Sequence, residues 1–325
     1  KSSAGESAPS RLLHLMRPPM TREVPVRRLV SSQRTSENDF RTPREDRNFH
    51  HDYKLTGEIL GVGMCGNVMT AEHRVTGKRV AVKTFKLAKL SRRAHLDLNG
   101  EIDALSSCSH PNITRLEAVY WSEDRVRLAV ESCEGGDVFD HLHSIGRFSE
   151  GEASVVTKQV LTAVEYLHGK GLVHRDIKLE NIVYESAMRN KVKLIDFGLC
   201  THWTEGMAPL TRMCGTVRYL APEVVMRGKY TNKADLWCVG AATYTMITNQ
   251  VIERDNKARP ILSHNLGRCT RDAQDFVIAL LVCDPAHRPG ASEALRFKWI
   301  QDPNAVERRA SPGAAVMHRR SLHES

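Results

Sequence analysis

The sequence predicts an α+β protein, and three observations support this fold class. Segments with strand-like alternation cluster between Tyr53 and Val130, with a single helical stretch among them. Helical periodicity dominates after Gly136. The chain has 325 residues, 41% of them hydrophobic, and is therefore long enough for two packed lobes and their tails. We expect a strand-rich part followed by a mostly helical part.

The individual elements follow from periodicity and from turn and capping residues. The expected strands of the first part are 53–60, a second one ending at 71–73, 80–83, 113–121 and 126–130, with a turn at 76–78 and a helix at 87–107 interrupted at 99–100. In the second part a helix starts at Asp137. Ser149 and Glu152 form a capping box at the start of the next helix, which Gly169 and Gly171 end.

The net charge of +9 is concentrated outside the patterned region. Residues 1–50 hold ten Lys or Arg against six Asp or Glu and are rich in Ser and Pro. We interpret 1–50 as a disordered basic tail with a short helix at 11–16, and 302–325 as a flexible tail. No nucleic-acid-binding motif accompanies the charge, so we expect no nucleic-acid partner.

Cysteine spacing and hydropathy indicate the kind of environment. The eight cysteines include no C-x-x-C pair, which favours reduced thiols over disulfides or structural zinc. The longest apolar run, 276–283, is too short to span a membrane and fits a buried helix. The chain begins at Lys1, so an upstream targeting segment would be out of view. We expect the cytoplasm, with the nucleus as the alternative.

Residues 173–181 read V-H-R-D-I-K-L-E-N, and D-F-G follows at 196–198. This spacing suits phosphoryl transfer. Asp176 can orient a hydroxyl and accept its proton, and Lys178 would lie beside the transferring phosphate. Asn181 and Asp196 offer the hard oxygen ligands that Mg²⁺ prefers.

Further motifs occur in a fixed order around this run. They are G-V-G-M-C-G at 61–66, V-A-V-K at 80–83, H-P-N-I at 110–113, G-T at 215–216, A-P-E at 221–223 and D-L-W-C-V-G at 235–240. The ordered set, covering about 53–301, resembles the eukaryotic protein kinases of the serine/threonine type. The runs at 134–140, 196–203 and 299–301 are similar to the calcium/calmodulin-dependent and calcium-dependent kinase group. No EF-hand pattern follows, so direct calcium sensing by this chain is not expected.

The resemblance implies a bilobal kinase domain at 51–301, with a small antiparallel-sheet N-lobe at 53–131, a hinge at 131–134 and a mostly helical C-lobe at 135–301. It implies ATP and Mg²⁺ as cofactors, with Asn181 and Asp196 as metal ligands. The implied catalytic residues are Asp176, Lys178, Lys83 and Thr216. The implied ATP-binding residues are Leu60, Gly61, Val62, Gly63, Gly66, Val68, Ala81, Lys83, Glu101, Glu131, Cys133 and Asp137. Glu101 would form the ion pair that positions Lys83.

The resemblance also suggests the substrate class. Asp137 and Glu180 match acidic positions that attract an upstream arginine, so we predict protein substrates of the form Arg-x-x-Ser/Thr. Ser31 and Ser311 follow such arginines in the tails themselves. The tails are then autophosphorylated, or occupy the cleft as pseudosubstrates, or are simply solvated basic arms.

Residues 199–221 are the activation segment of the resemblance. Thr201, Thr204 and Thr211 are candidate phosphorylation sites whose phosphate could pair with Arg175, and each is equally well a plain polar loop residue. An upstream kinase or regulatory protein is then a candidate partner. Arg212, however, occupies the position where several basic-directed kinases carry the activating threonine, which argues against control by phosphorylation.

Two structural roles and two departures complete the comparison with the family. Glu223 is expected to pair with Arg288, and Asp235 to belong to a buried helix. The usual proline-proline-aromatic sequence after that helix is replaced by N-Q-V-I-E at 249–253, and the region is several residues short. This departure, with Gly100 inside a helix, keeps open a pseudokinase scaffold without turnover. A small-molecule phosphotransferase is a third alternative, which the retained A-P-E segment disfavours.

Overall fold

A computed structural model describes residues 48–63, 66–226 and 228–302. The predictions for Ser31, Ser311, the helix at 11–16 and the tail after 302 lie outside these residues, and the domain limits stay a prediction. The strands are β1 Tyr53–Gly63, β2 Gly66–His73, β3 Arg79–Lys86, β4 Leu116–Trp121, β5 Arg125–Glu131, β6 Leu172–Val173, β7 Ile182–Tyr184, β8 Val192–Leu194, β9 Thr201–His202, β10 Glu253–Arg254 and β11 Pro260–Ile261. The α-helices are α1 Phe49–Asp52, α2 Arg92–Ser107, α3 Val138–Ile145, α4 Glu150–Gly169, α5 Pro222–Val225, α6 Lys233–Thr248, α7 Arg271–Leu280, α8 Ala291–Ala294 and α9 Lys298–Gln301.

The first lobe is a five-stranded antiparallel sheet in the order β1-β2-β3-β5-β4. Alternate residues of β3 point to one face, so Val80 and Val82 are fully buried while Lys83 points to the other face. Lys83 lies between Val68 on β2 and Leu128 on β5. The sheet therefore places this lysine beside Val68, two residues after the start of β2.

A short helix that the sequence did not predict, α1, directly precedes the first strand of the sheet. Phe49 of α1 is buried, with its ring 5.6 Å from that of Tyr53 and 5.4 Å from that of Tyr120. Asp52 accepts a hydrogen bond from the Tyr120 hydroxyl at 2.8 Å. The folded part thus starts within the range that was expected to be a tail.

Helix α2 begins later than expected and has no break. Ser91 caps it by accepting a hydrogen bond from the Ala94 amide at 3.2 Å. The expected interruption at Gly100 is wrong, because the helix continues through it to Ser107. Glycine costs about 1 kcal/mol in a helix interior. Burial of Leu98 and Ile102 on either side offsets that cost.

The second lobe is mostly helical and is built around α4 and α6. The capping box at the start of α4 is confirmed: Ser149 accepts from the Glu152 amide at 3.2 Å, and the Glu152 carboxylate accepts from the Ser149 amide at 2.9 Å. In α6 every residue from 234 to 248 is buried. This central helix is therefore a rigid support for the loops that pack on its first turn.

The stretch between α6 and α7 departs from the rest of the lobe. Residues 249–270, all of which the structure describes, contain no α-helix. They form a hairpin of β10 and β11, with Glu253 opposite Ile261 and Arg254 opposite Pro260, and then a single 3₁₀ turn at Leu266–Arg268. The short sequence here folds as a hairpin.

Two expectations from composition concern the described residues. No helix in this part of the chain combines the length and the apolarity that a bilayer crossing requires. Seven cysteines lie within it, and no two of them form a disulfide. The predicted compartment stays a prediction.

Candidate active site

The loop between β6 and β7 is fixed by one buried carboxylate. Asp235, in the first turn of α6, accepts hydrogen bonds from the backbone amides of His174 and Arg175, both at 2.9 Å, and lies 3.0 Å from Nε2 of His168. Burial disfavours the charged carboxylate, but these partners outweigh it and hold the pKa of Asp235 below its usual value. Arg175 has a φ of 67°, which is uncommon for a residue other than glycine. Asp235 therefore holds the loop in a strained conformation.

Asp176 is the centre of a polar network. Its Oδ1 accepts hydrogen bonds from the amide and the hydroxyl of Thr216, at 3.0 and 2.9 Å. Its Oδ2 lies 2.9 Å from Nζ of Lys178 and accepts from Nδ2 of Asn181 at 3.1 Å. Lys178 also donates to the Thr216 hydroxyl at 2.9 Å. Four residues that the sequence marked as catalytic or metal-binding thus form one cluster.

Thr216 reaches Asp176 because a glycine precedes it. Gly215 has a φ of 103°, and a Cβ added there would lie 2.5 Å from the carbonyl oxygen of Arg175. Only glycine tolerates both the backbone conformation and the close approach. The G-T motif therefore brings the activation segment against the catalytic loop.

Lys83 is held by two carboxylates. Its Nζ lies 2.8 and 3.1 Å from the two carboxylate oxygens of Glu101 on α2 and 2.9 Å from Oδ1 of Asp196. Burial alone would lower the pKa of Lys83, but attraction from Glu101 and Asp196 outweighs it and raises that pKa well above its usual value. Lys83 is therefore a permanent cation, and α2 is docked in the arrangement that the predicted ion pair requires.

Asn181 and Asp196 form a donor set that suits Mg²⁺. Nδ2 of Asn181 donates to the backbone oxygen of Asp176 at 2.8 Å as well as to its carboxylate, so Oδ1 is the end that a cation would meet. The Asp196 side chain is 44% exposed, and its backbone has a φ of 61°. The described residues contain no group of three His, Cys, Asp or Glu side chains for a metal. Proteins hold Mg²⁺ with one or two carboxylates together with substrate phosphates.

The remaining predicted nucleotide-binding residues line the sheet and the connection between the lobes. Gly61, Val62, Gly63 and Leu60 lie on β1, and Gly66 and Val68 lie on β2. Ala81 on β3 is opposite Val130, the last residue before the predicted hinge. The nucleotide-binding roles of these residues stay predictions.

The predicted hinge residues have other partners as well. Glu131 lies 3.1 Å from Nζ of Lys193, which is almost fully buried and which sequence reasoning missed. Burial, with the carboxylate of Glu131 nearby, raises the pKa of the Cys133 thiol to about 12. Cys133 is therefore a neutral thiol, and the Glu131 side chain anchors the connection between the lobes.

The predicted substrate-recognition residues form an acidic group. Asp137 caps α3 by accepting from the Asp140 amide at 2.8 Å. Burial, together with the carboxylates of Asp140 and Glu180, raises the pKa of Asp137. Within the described ranges neither Asp137 nor Glu180 forms an ion pair with a basic side chain of the chain itself. The group is a negative surface that a cation of another molecule would neutralise.

The expected pair of Glu223 and Arg288 is present. Nη1 and Nη2 of Arg288 donate to the two carboxylate oxygens of Glu223 at 2.7 and 3.1 Å, and the Arg288 side chain is fully buried. Arg288 also donates to the carbonyl of Lys233 at 2.7 Å. The pair ties the end of the activation segment to the base of the helical lobe.

The residue expected to bind a phosphate of the activation segment already has a partner in the chain. Arg175, the expected phosphate partner, is 7% exposed and donates to the carbonyl of Leu199 at 2.6 Å. Thr201 lies on β9, and Thr204 and Thr211 are exposed. Their phosphorylation stays a prediction.

Comparison with known proteins agrees with this arrangement of motif residues. The family model for the protein kinase domain matches residues 55–300. The chain belongs to the protein kinase family.

Several curated proteins are similar to the chain. It is 34% identical over 267 residues to sperm motility kinase 2B of Mus musculus, covering 80% of this chain and 54% of that protein. It is 32% identical to the calcium/calmodulin-dependent protein kinase cmkA of Emericella nidulans, with 79% and 64% covered. It is 32% identical to serine/threonine-protein kinase H1 of Homo sapiens, with 80% and 63% covered. The chain thus spans between about half and two thirds of the length of these relatives.

Proposed function

We propose that the chain is a serine/threonine protein kinase that transfers the γ-phosphate of ATP, with Mg²⁺, to protein hydroxyls. The proposal depends on one observation, which is that Thr216 and Lys178 both contact the Asp176 carboxylate. In the same structure Lys83 forms its ion pair with Glu101. In protein kinases an ion pair of the kind that Lys83 makes with Glu101 must be in place for activity. The names of the relatives that are serine/threonine kinases support the same conclusion.

The chain's own residues perform positioning and proton acceptance. Asp176 orients the substrate hydroxyl and accepts its proton, and Lys178 lies within reach of the transferring phosphate because it contacts the same carboxylate. Lys83, kept cationic by Glu101, orients the nucleotide phosphates. Asn181 and Asp196 would hold Mg²⁺, which supplies charge neutralisation at the phosphates when bound.

We further propose a preference for Arg-x-x-Ser/Thr. The support is the acidic group of Asp137, Asp140 and Glu180, whose mutual repulsion contributes to the raised pKa of Asp137. A substrate guanidinium beside these carboxylates would relieve that repulsion and form charge-assisted hydrogen bonds. Ser31 and Ser311 are the corresponding candidates for autophosphorylation.

The test is transfer of labelled phosphate from Mg-ATP to matched peptides containing Arg-x-x-Ser or Ala-x-x-Ser. We expect transfer by the intact chain and a loss of about 10²-fold or more with Asp196→Ala. Asp272→Asn, which removes one partner of an exposed pair with Lys298, is the matched control and should retain activity.

Specificity is tested separately with Asp137→Asn, because asparagine preserves the helix cap and removes only the charge. The ratio of kcat/KM for the Arg-x-x-Ser peptide to kcat/KM for the Ala-x-x-Ser peptide should fall by about tenfold in this variant. An unchanged ratio would disprove the role of Asp137 without affecting the proposed activity.

Autophosphorylation of the tail is tested with Ser311→Ala, which should reduce the phosphate that the chain incorporates into itself.

A pseudokinase scaffold is the alternative, and the hairpin at β10 and β11 favours it because this region differs most from the family pattern. Its signature would be ATP binding by folded protein without transfer to any peptide. Transfer to a small molecule but not to peptides would indicate a different phosphotransferase.

A further inference from the structure

The activation segment is tied to α2 by an ion pair. Nη1 and Nη2 of Arg212 donate to the two carboxylate oxygens of Asp97 at 2.7 and 3.1 Å. The attraction of Asp97 for the guanidinium raises the pKa of Arg212. Such two-pronged pairs are the most directional contacts that an arginine makes. Residues 115 positions apart in sequence are thereby joined.

The pair is supported on both sides. On the helix, Nε of Arg93 lies 3.2 Å from the same Asp97 carboxylate. On the segment, the carbonyl of Arg212 accepts a hydrogen bond from the hydroxyl of the buried Tyr230 at 2.6 Å. Both partners are thus held in position by other groups, which lowers the entropic cost of the pair.

Asp97 lies one helical turn before Glu101, and residues four apart lie on the same side of a helix. We call the ion pair of Arg212 with Asp97 the tie. It fixes the turn of α2 from which Glu101 reaches Lys83. The segment end of the tie is four residues before Thr216, which contacts Asp176. One ion pair thus connects the two halves of the active site.

The signs of the charges are the reverse of those of a phosphorylated segment. A phosphate would bring negative charge to the segment and need a cation on α2 or at Arg175. Here the segment carries the cation and the helix carries the anion. Arg175 is engaged with the Leu199 carbonyl, so it too is satisfied without a phosphate.

We propose that Arg212 and Asp97 are positioning residues that hold Glu101 and Thr216 in the active arrangement, so that the site is assembled without phosphorylation of the activation segment. The inference rests on the proposed kinase function for its activity readout, and its structural part can be measured independently of activity.

The experiment is a charge-exchange cycle on the full chain after phosphatase treatment, with removal of phosphate verified by mass spectrometry. Arg212→Asp and Asp97→Arg should each lower kcat/KM by about tenfold or more, because each places like charges together. The double exchange should recover most of the activity lost in the single variants, since the pair is restored with opposite polarity, and the remaining loss reflects Arg93, which then faces a like charge at position 97. Arg271→Met, at an exposed pair on α7, is the control and should leave kcat/KM unchanged.

Hydrogen exchange of the α2 amides is the second readout. Exchange should be faster in both single variants and slowed again in the double exchange, whether or not the chain phosphorylates a peptide. If the parent chain transfers no phosphate to peptides but the α2 amides show this exchange pattern, the proposed kinase function is wrong and the role of the Arg212–Asp97 pair is supported. A double variant as impaired as the single ones in both readouts would overturn the tie, as would an activity of the parent chain that phosphatase abolishes.

Discussion

The surroundings of Asp176 and the stretch between α6 and α7 contrast in how they are built. Around Asp176 each side chain belongs to a motif and is fixed by short polar contacts, as with Thr216 and Lys178. At 249–270 the motif is missing and the chain forms a hairpin instead of a helix. Individual residues around Asp176 are thus constrained by the chemistry, whereas the stretch 249–270 adopts a different local structure without disturbing them.

The stretch 249–270 is nevertheless connected to the site. Arg254 of β10 donates a hydrogen bond to the carbonyl of Leu220, and its guanidinium lies 5.4 Å from the ring centroid of Trp237. Arg288 lies 5.2 Å from the same ring. The hairpin therefore supports the end of the activation segment through Arg254, next to the support that Arg288 gives through Glu223.

The largest effect is expected at Asp176. Asp176→Asn removes the proton acceptor but keeps the size of the side chain, so we expect kcat to fall by about 10²- to 10⁴-fold. ATP affinity, measured by calorimetry, should change little because Lys83 and its partners are untouched. A kcat within tenfold of the parent chain would show that the motif geometry does not carry the chemistry.

The next effect concerns stability. Arg288→Met leaves the Glu223 carboxylate with no guanidinium partner in a nearly buried site, so the free energy of unfolding should fall by about 3–5 kcal/mol. Urea denaturation measures this. Removing both charges with Glu223→Gln/Arg288→Met should recover part of the loss. Equal losses in the single and double variants would mean that the arginine acts through its contacts with Trp237 and with the Lys233 carbonyl rather than through Glu223.

The sequence was sufficient to predict the contacts near Asp176, but it was insufficient to predict those elsewhere, and the reason is physical. A motif encodes the local course of the chain, so the spacing of Asp176, Lys178 and Asn181 indicated side chains that the structure brings together. The pair of Arg212 and Asp97 depends on how the segment lies over α2, which no local spacing specifies. The expected break at Gly100 was wrong because propensity is a weak preference that burial of neighbouring side chains overrides.

The same limit applies to the short elements. The aromatic cluster of Phe49, Tyr53 and Tyr120 joins residues that are distant in sequence, and it starts the fold before the first strand. The hairpin at β10 and β11 has only two residues in each strand. Such elements carry too little periodicity to be recognised.

A smaller effect is expected at the hairpin. Arg254→Met removes the hydrogen bond to Leu220 and the contact of the cation with Trp237, so kcat/KM for a peptide should fall roughly fivefold. The KM for ATP should not change, because Leu220 and Trp237, which Arg254 contacts, are not among the predicted ATP-binding residues. Lys257→Met, on the same hairpin and exposed, is the control. An equal loss in both variants would mean that the hairpin as a whole, rather than Arg254, matters.

The smallest effect, and the one of opposite sign, is expected in α2. Gly100→Ala should raise the free energy of unfolding by up to about 1 kcal/mol, because alanine loses less backbone freedom than glycine on entering a helix. An added Cβ would lie 3.7 Å from the carbonyl oxygen of Cys200, an ordinary contact that requires no shift. Gly77→Ala is the matched control. With a φ of 68° in the turn between β2 and β3 it should instead destabilise, by about 1 kcal/mol. A loss of stability at position 100 would mean that α2 lies closer to the start of the activation segment than the contact at Cys200 indicates.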